Sequence, residues 1–338
     1  MRAIVLEKPG QFSMLEAKPP EAPRPGEAMV AVRSVGICGS DLHAFRGEHP
    51  FFSYPRIIGH EFAAEIVAVG GNDRGLAVGD RCTVEPYLEC GSCIACRRGK
   101  TNCCVNLKLL GIHLDGGMQE RINVPVSKLL KSTTLPLNHL AVVEMLSVGM
   151  HAVRRAEPAR GELTLVIGTG PIGLSVASIA REAGAEVIAM DINTRRLDFC
   201  RNVLHFERCV DAGVDPLPQL KQLCGNELPT LVFDCSGSRG SMMSAFNYVA
   251  HGGKLVFVGL FAGDLTFNDP FFHAHEMTIM SSRNATEADF LKVIGLMETG
   301  KIDVSPWITH RAPSENLIDV FPQWAKAETG VLKAVVEW

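Results

Sequence analysis

Thr164-Leu165-Val166-Ile167-Gly168-Thr169-Gly170-Pro171-Ile172-Gly173 is an apolar run that meets three spaced glycines and continues with helical periodicity. A lone Gly-x-Gly-x-x-Gly is weak evidence. Here it follows a strand pattern and opens a helix, the setting in which the motif has a mechanism. Gly168 makes the tight turn, Gly170 lets backbone approach a pyrophosphate, and Gly173 lets helix and strand pack closely. Pro171 and Ile172 complete the loop, and phosphate charge then meets the amino end of the helix. Asp191 ends the next strand pattern, Ala185–Asp191, 18 positions after Gly173. An acid there accepts from the adenosine ribose hydroxyls and repels a 2′-phosphate, which favours NAD over NADP. Arg195 and Arg196 lie close by and weaken that exclusion slightly. Arg196 is carried as a cofactor contact, and an ordinary strand-end aspartate is the plain alternative for Asp191.

The rhythm continues outward from this motif. Strand-like runs at 162–168, 185–191, 207–210, 230–237, 254–260 and 276–282 alternate with amphipathic stretches at 171–184, 194–204, 217–224 and 239–250. Six strands in βαβ order predict a doubly wound parallel sheet of Rossmann type. The connection from Phe261 to Glu276 reads as a loop. Upstream, Met1 to about Lys131 is rich in glycine, proline and short β-like runs, which predicts a compact, mostly β domain. Downstream of Thr286 there is one helical stretch, then short segments ending in a strand-like Gly330–Trp338. That tail is too small to stand alone. The organisation predicted is a mostly β domain at 1–147, a Rossmann domain at 148–285, and a return to the first domain at 286–338.

Composition bounds the function. The 338 residues are 46% hydrophobic and 21% charged, with a formal net charge of −4. No basic block supports nucleic-acid binding. No apolar stretch is long enough for a membrane span, and the start of the chain has no signal-peptide core. A cytoplasmic protein is expected. The 11 cysteines do not read as a disulfide framework in a chain of this length and type, so the compartment reads as reducing.

The strongest chemical signal is Cys90-Gly91-Ser92-Cys93-Ile94-Ala95-Cys96, with Cys104 completing the set. Structural zinc takes four thiolates in a closed tetrahedron. Two-residue gaps aim successive sulfurs at one point, and the longer gap lets a loop return to close the shell. Cys103 is adjacent to Cys104, so only one of the two is expected to ligate.

A second cluster is Val35-Gly36-Ile37-Cys38-Gly39-Ser40-Asp41-Leu42-His43, followed by Gly59-His60-Glu61. Catalytic zinc needs three protein ligands and an open position. Cys38 and His60 are natural ligands, and Glu61 and Glu144 are both candidates for the third place. Asp41 is placed to hold the second ring nitrogen of His60. Ser40 and His43 are protic groups that can relay a proton to solvent. Alone, each of these residues reads as a turn or surface polar group.

These constellations, in this order, resemble the zinc-containing medium-chain alcohol dehydrogenases over essentially the whole chain. The fold so implied is a GroES-like β domain plus a Rossmann domain. The resemblance implies catalytic zinc at Cys38 and His60, with Glu61 a ligand in some members. In the polyol branch the glutamate matching Glu144 touches the metal or its water. That glutamate opens a Glu-Pro-Leu-Ser-Val-Gly-type motif, which here is Glu144-Met145-Leu146-Ser147-Val148-Gly149, with Met145 in place of the usual proline.

Narrower likenesses, at Pro50–Arg56, Gly99–Cys104, Val258–Phe261 and Ser282–Thr286, are similar to the sugar-acid branch, the bacterial L-galactonate and L-gulonate 5-dehydrogenases. The implied cofactors are NAD and two Zn²⁺ per subunit. The implied chemistry is zinc acting as Lewis acid on a secondary alcohol, hydride transfer to nicotinamide, and proton exit through Ser40, a cofactor hydroxyl and His43. Arg283, just past the sixth strand, is the expected contact for a substrate carboxylate. A small polar substrate is expected, with no nucleic acid or membrane partner, in a homotetramer or homodimer. The alternatives are a sorbitol- or threonine-type dehydrogenase and, outside enzymes, an NAD-sensing binding protein.

Overall fold

The computed structural model describes residues 1–338, apart from the side chain at 327. The chain divides into two compact units, Met1–Met145 with Ala285–Trp338, and Leu146–Asn284. Helix Val143–Ala156 carries the chain from the first unit into the second.

The first unit is built on a mostly antiparallel seven-stranded sheet. Its centre is strand Glu27–Ile37, whose near-continuous apolar run is buried along most of its length. Strand Glu61–Val69 pairs with it on one side, placing Glu61 opposite Gly36, and strand Lys333–Glu337 pairs on the other, placing Ala334 opposite Ile37. Residues distant in sequence therefore meet around Gly36 and Ile37. The apolar side chains of these strands form one core that includes Ile4, Val35, Phe62, Phe321 and Val336.

The second unit is a six-stranded parallel sheet. Its spatial order is Arg208–Asp211, Glu186–Asp191, Leu163–Ile167, Leu231–Asp234, Lys254–Phe257 and Thr278–Ser281. The order turns back at Leu163–Ile167, as in a Rossmann sheet. Four of that strand's five residues are buried, as befits a strand covered on both faces.

The Phe261–Glu276 connection is not all loop, for it holds helix Asp269–Ala274. Asn268 accepts the Phe271 N–H at 2.9 Å and Pro270 fills the first turn, a start signal on a helix too short to show periodicity. The tail contains a second helix, Leu317–Trp324, despite Pro322 inside it. Leu317, Phe321 and Trp324 make its buried face. Among the described residues, no helix is long and apolar enough to cross a membrane.

Candidate active site

Cys38 directly follows strand Glu27–Ile37 and precedes helix Gly39–Arg46. The Asp41 carboxylate accepts the Cys38 N–H at 2.9 Å, tying the first turn of that helix to its start. His60 and Glu61 arrive at the start of the neighbouring strand. Ligand atoms of Cys38, His60 and Glu61 all lie within 4.8 Å of one another. Gly36 makes room for this: a Cβ there would stand 2.5 Å from Glu61 Oε2.

His60 is buried, and its Nε2 lies 3.3 Å from Ser40 Oγ. Its Nδ1 has no hydrogen-bond partner, and Asp41 Oδ1 stands 3.8 Å away. That separation is longer than a hydrogen bond. Burial works against a charged His60 ring. The negative charge of Cys38, Asp41 and Glu144 outweighs it and holds the pKa well above the usual imidazole value. His43 is exposed, 3.3 Å from Glu48.

Glu144 occupies the first turn of helix Val143–Ala156 and is buried. It lies outside the tight Cys38–His60–Glu61 set, although its charge acts on His60. Burial pushes its carboxyl up to about 7.

The four sulfurs of Cys90, Cys93, Cys96 and Cys104 also converge within 4.8 Å. Backbone N–H groups point at them: Cys90 N–H to Cys104 Sγ at 3.2 Å, Asn106 N–H to the same sulfur at 3.4 Å, and Cys96 N–H to Cys93 Sγ at 3.5 Å. Such contacts hold the Cys90 thiol down to about 5, through the amides of Ser92 and Cys93 first. Cys103 lies outside the set and is exposed, and all 11 cysteines are free thiols. A set of four converging soft thiols and a buried S/N/O set with an unpartnered imidazole nitrogen both suit zinc.

In the second unit, Gly168 has φ +85°, and a Cβ on Gly173 would lie 1.7 Å from the Gly168 carbonyl oxygen. Only glycine fits at these two positions, whereas a Cβ on Gly170 would meet nothing closer than 3.5 Å. Gly170 starts helix Pro171–Glu182 with no side-chain cap, so first-turn N–H groups stay available to a phosphate. Asp191 is buried and already engaged: Oδ2 accepts from Thr169 N–H at 2.7 Å and Thr169 Oγ at 3.0 Å, and Oδ1 from Asn193 N–H at 2.8 Å. Arg196 reaches to 3.8 Å from Asp191 and lies beside Gly170. Arg283 is exposed two positions beyond strand Thr278–Ser281.

Three residues around the site escape a reading of the sequence. Lys333 donates to Glu61 Oε1 at 2.7 Å and to the Ile37 carbonyl at 3.0 Å. Its only sequence signal is a lysine inside an otherwise apolar strand. Tyr87, also buried, donates to Glu144. His49 takes the Phe51 N–H on Nδ1 at 3.2 Å. Burial lowers its pKa, and His60, His43 and His113 lower it further.

Comparison with known proteins agrees with this architecture. The profile of the alcohol dehydrogenase GroES-like domain matches residues 24–135, and that of the zinc-binding dehydrogenase domain matches 171–299. The chain is 40% identical to L-galactonate-5-dehydrogenase of Escherichia coli K12, covering 99% of this chain and 98% of that protein. It is 32% identical to 2-dehydro-3-deoxy-L-galactonate 5-dehydrogenase of Pseudoalteromonas atlantica, covering 94% and 93%. An alcohol dehydrogenase of Escherichia coli CFT073, solved with NADH, superposes with a TM-score of 0.92 at 29% identity, covering 100% and 99%. The chain belongs to the zinc-type medium-chain alcohol dehydrogenase family. It is an NAD-dependent zinc dehydrogenase of the polyol and sugar-acid branch.

Proposed function

We propose that the chain oxidises the carbon-5 alcohol of an L-hexonate, L-gulonate or L-galactonate, to the keto acid. The observation that carries this reading is the end-to-end identity of 40% with a protein named for that reaction on L-galactonate.

Cys38 and His60, with Glu61 or Glu144, hold the catalytic zinc, and Cys90, Cys93, Cys96 and Cys104 hold the structural one. When bound, the catalytic zinc supplies Lewis-acid polarisation of the substrate oxygen. Asp41 steadies the start of the helix that follows Cys38 and sets a negative charge beside the His60 ring. Ser40, next to His60, and His43, at the surface, pass the released proton outward. The Gly168–Gly173 loop, with Pro171 and Ile172, seats the pyrophosphate. Asp191 meets the adenosine ribose, with Arg196 beside it, and Arg283 meets the substrate carboxylate. The assembly expected is a homotetramer or homodimer, which light scattering measures.

The test is NAD reduction across hexonates, polyols, L-threonine and simple alcohols. L-gulonate or L-galactonate should give the highest specificity constant. A polyol or L-threonine in that place would make the chain a sorbitol- or threonine-type enzyme. NAD binding without turnover of any substrate would favour an NAD-sensing protein.

A further inference from the structure

Tyr87 opens the short strand Tyr87–Leu88, which pairs antiparallel with Lys108–Leu109. Cys90, Cys93, Cys96 and Cys104 lie between these two strands, so the ribbon closes the base of the four-cysteine lobe. One residue of that base, Tyr87, reaches the acid whose charge acts on His60. Tyr87 is 2% exposed, and its ring meets Phe290 edge-on at 6.2 Å between centroids. Its hydroxyl donates to Glu144 Oε1.

Glu144 needs such a partner. It is 5% exposed, so water does not orient its carboxylate. A glutamate side chain has several rotatable bonds, and a buried carboxylate left without donors costs more than the bond itself returns. One oxygen committed to a fixed phenol limits the directions open to the other.

We infer that Tyr87 is a positioning residue, whose hydroxyl sets the Glu144 carboxylate toward the Cys38–His60 site and ties it to the four-cysteine lobe. This rests on the reading of Glu144 as a participant at the catalytic zinc. The four-cysteine lobe then acts on the catalytic centre as well as on folding, because its base carries the donor that aims a catalytic carboxylate.

The experiment compares wild type, Tyr87→Phe, Glu144→Gln and the double variant. Tyr87→Phe keeps the ring against Phe290 and removes one oxygen. Three readouts are taken: kcat and KM, loss of the first zinc to a chelator, and the visible spectrum after Co²⁺ replaces the catalytic ion. Tyr87→Phe should lower kcat about ten-fold, the size of one lost hydrogen bond to a charged group. It should leave the KM for NAD near wild type, speed loss of the first zinc and shift the Co²⁺ bands. In the Glu144→Gln background it should change little further. Wild-type values for Tyr87→Phe, with Glu144→Gln impaired, would overturn the Tyr87 inference and leave Glu144 in place. Independent, multiplying losses would overturn it too. Wild-type behaviour of Glu144→Gln would remove the reading on which the inference stands.

Discussion

Lys333 and Glu61 form a buried ion pair beside Gly36, with the ammonium 2.7 Å from Oε1 and 2.5 Å from Oε2. Two strands bring them there from opposite sides of Glu27–Ile37, and the missing side chain of Gly36 leaves room for the carboxylate. Burial alone would favour neutral lysine. The charges of Glu61, Cys38 and Glu144 outweigh it and raise the Lys333 pKa. Removing one partner of a buried pair leaves the other charge uncompensated, at a cost of roughly 3–5 kcal/mol. Lys333→Met should therefore lower the unfolding free energy of the metal-free protein by about that amount, with a smaller loss after zinc is added. Chemical denaturation with and without zinc measures both, and an unchanged midpoint without zinc contradicts the account.

Two donor sets predict two zinc ions per chain with separable roles. The closed four-thiol set should hold its ion through mild chelation, while the Cys38–His60 set loses its ion first. Cys93→Ser should mainly reduce soluble, folded protein, and Cys38→Ser should mainly reduce turnover. Fully active protein with no more than one zinc per chain would reject this assignment.

Asp191 joins the glycine loop to the end of the second Rossmann strand through Thr169. Asp191→Ala should raise the KM for NAD and improve relative use of NADP. A lost contact of ribose to a charged acceptor is worth roughly 1.5–3 kcal/mol, or about ten- to a hundred-fold. Wild type that prefers NADP by a wide margin would show that Asp191 does not select the cofactor.

Glu85 shares the Lys128 ammonium with Glu89, at 2.8 Å and 2.6 Å respectively. Burial pushes the Glu85 carboxyl up to about 7 from an ordinary value of 4.5. Between these two values the folded state binds a proton that the unfolded state has released, so this group makes stability fall as pH rises from about 4.5 to 7. The difference amounts to roughly 3 kcal/mol. Glu85→Gln should flatten that slope in denaturation midpoints across the same window. An identical slope in the variant would mean that Glu85 ionises as freely as in the unfolded chain.

Arg283 is tested by a two-by-two comparison of wild type and Arg283→Ala, each with an L-hexonate and the matching alditol. A contact with the substrate carboxylate predicts a much larger loss of specificity constant for the acid. Equal losses would make Arg283 a cofactor or structural residue.

The parts legible in the sequence are those written over short spans. The glycine loop, the strands around it and the cysteine spacing each depend on neighbours a few positions apart, and the Rossmann sheet follows from them. Lys333 and Tyr87 were hidden because their partners are remote: Glu61 lies 272 positions from Lys333, and Glu144 57 positions from Tyr87. Only the strand register brings Lys333 to Glu61, and a lysine in an apolar strand does not name its partner. Helix Asp269–Ala274 is illegible for the opposite reason: at six residues it is shorter than two turns and leaves no periodicity to read.

The most direct measurement is the specificity constant of the zinc-loaded wild type, with NAD, for L-galactonate and L-gulonate against their alditols. The account predicts that one of the two acids exceeds its alditol, with oxidation at carbon 5 confirmed by the identity of the keto acid formed. An alditol turned over more efficiently than either acid would contradict it.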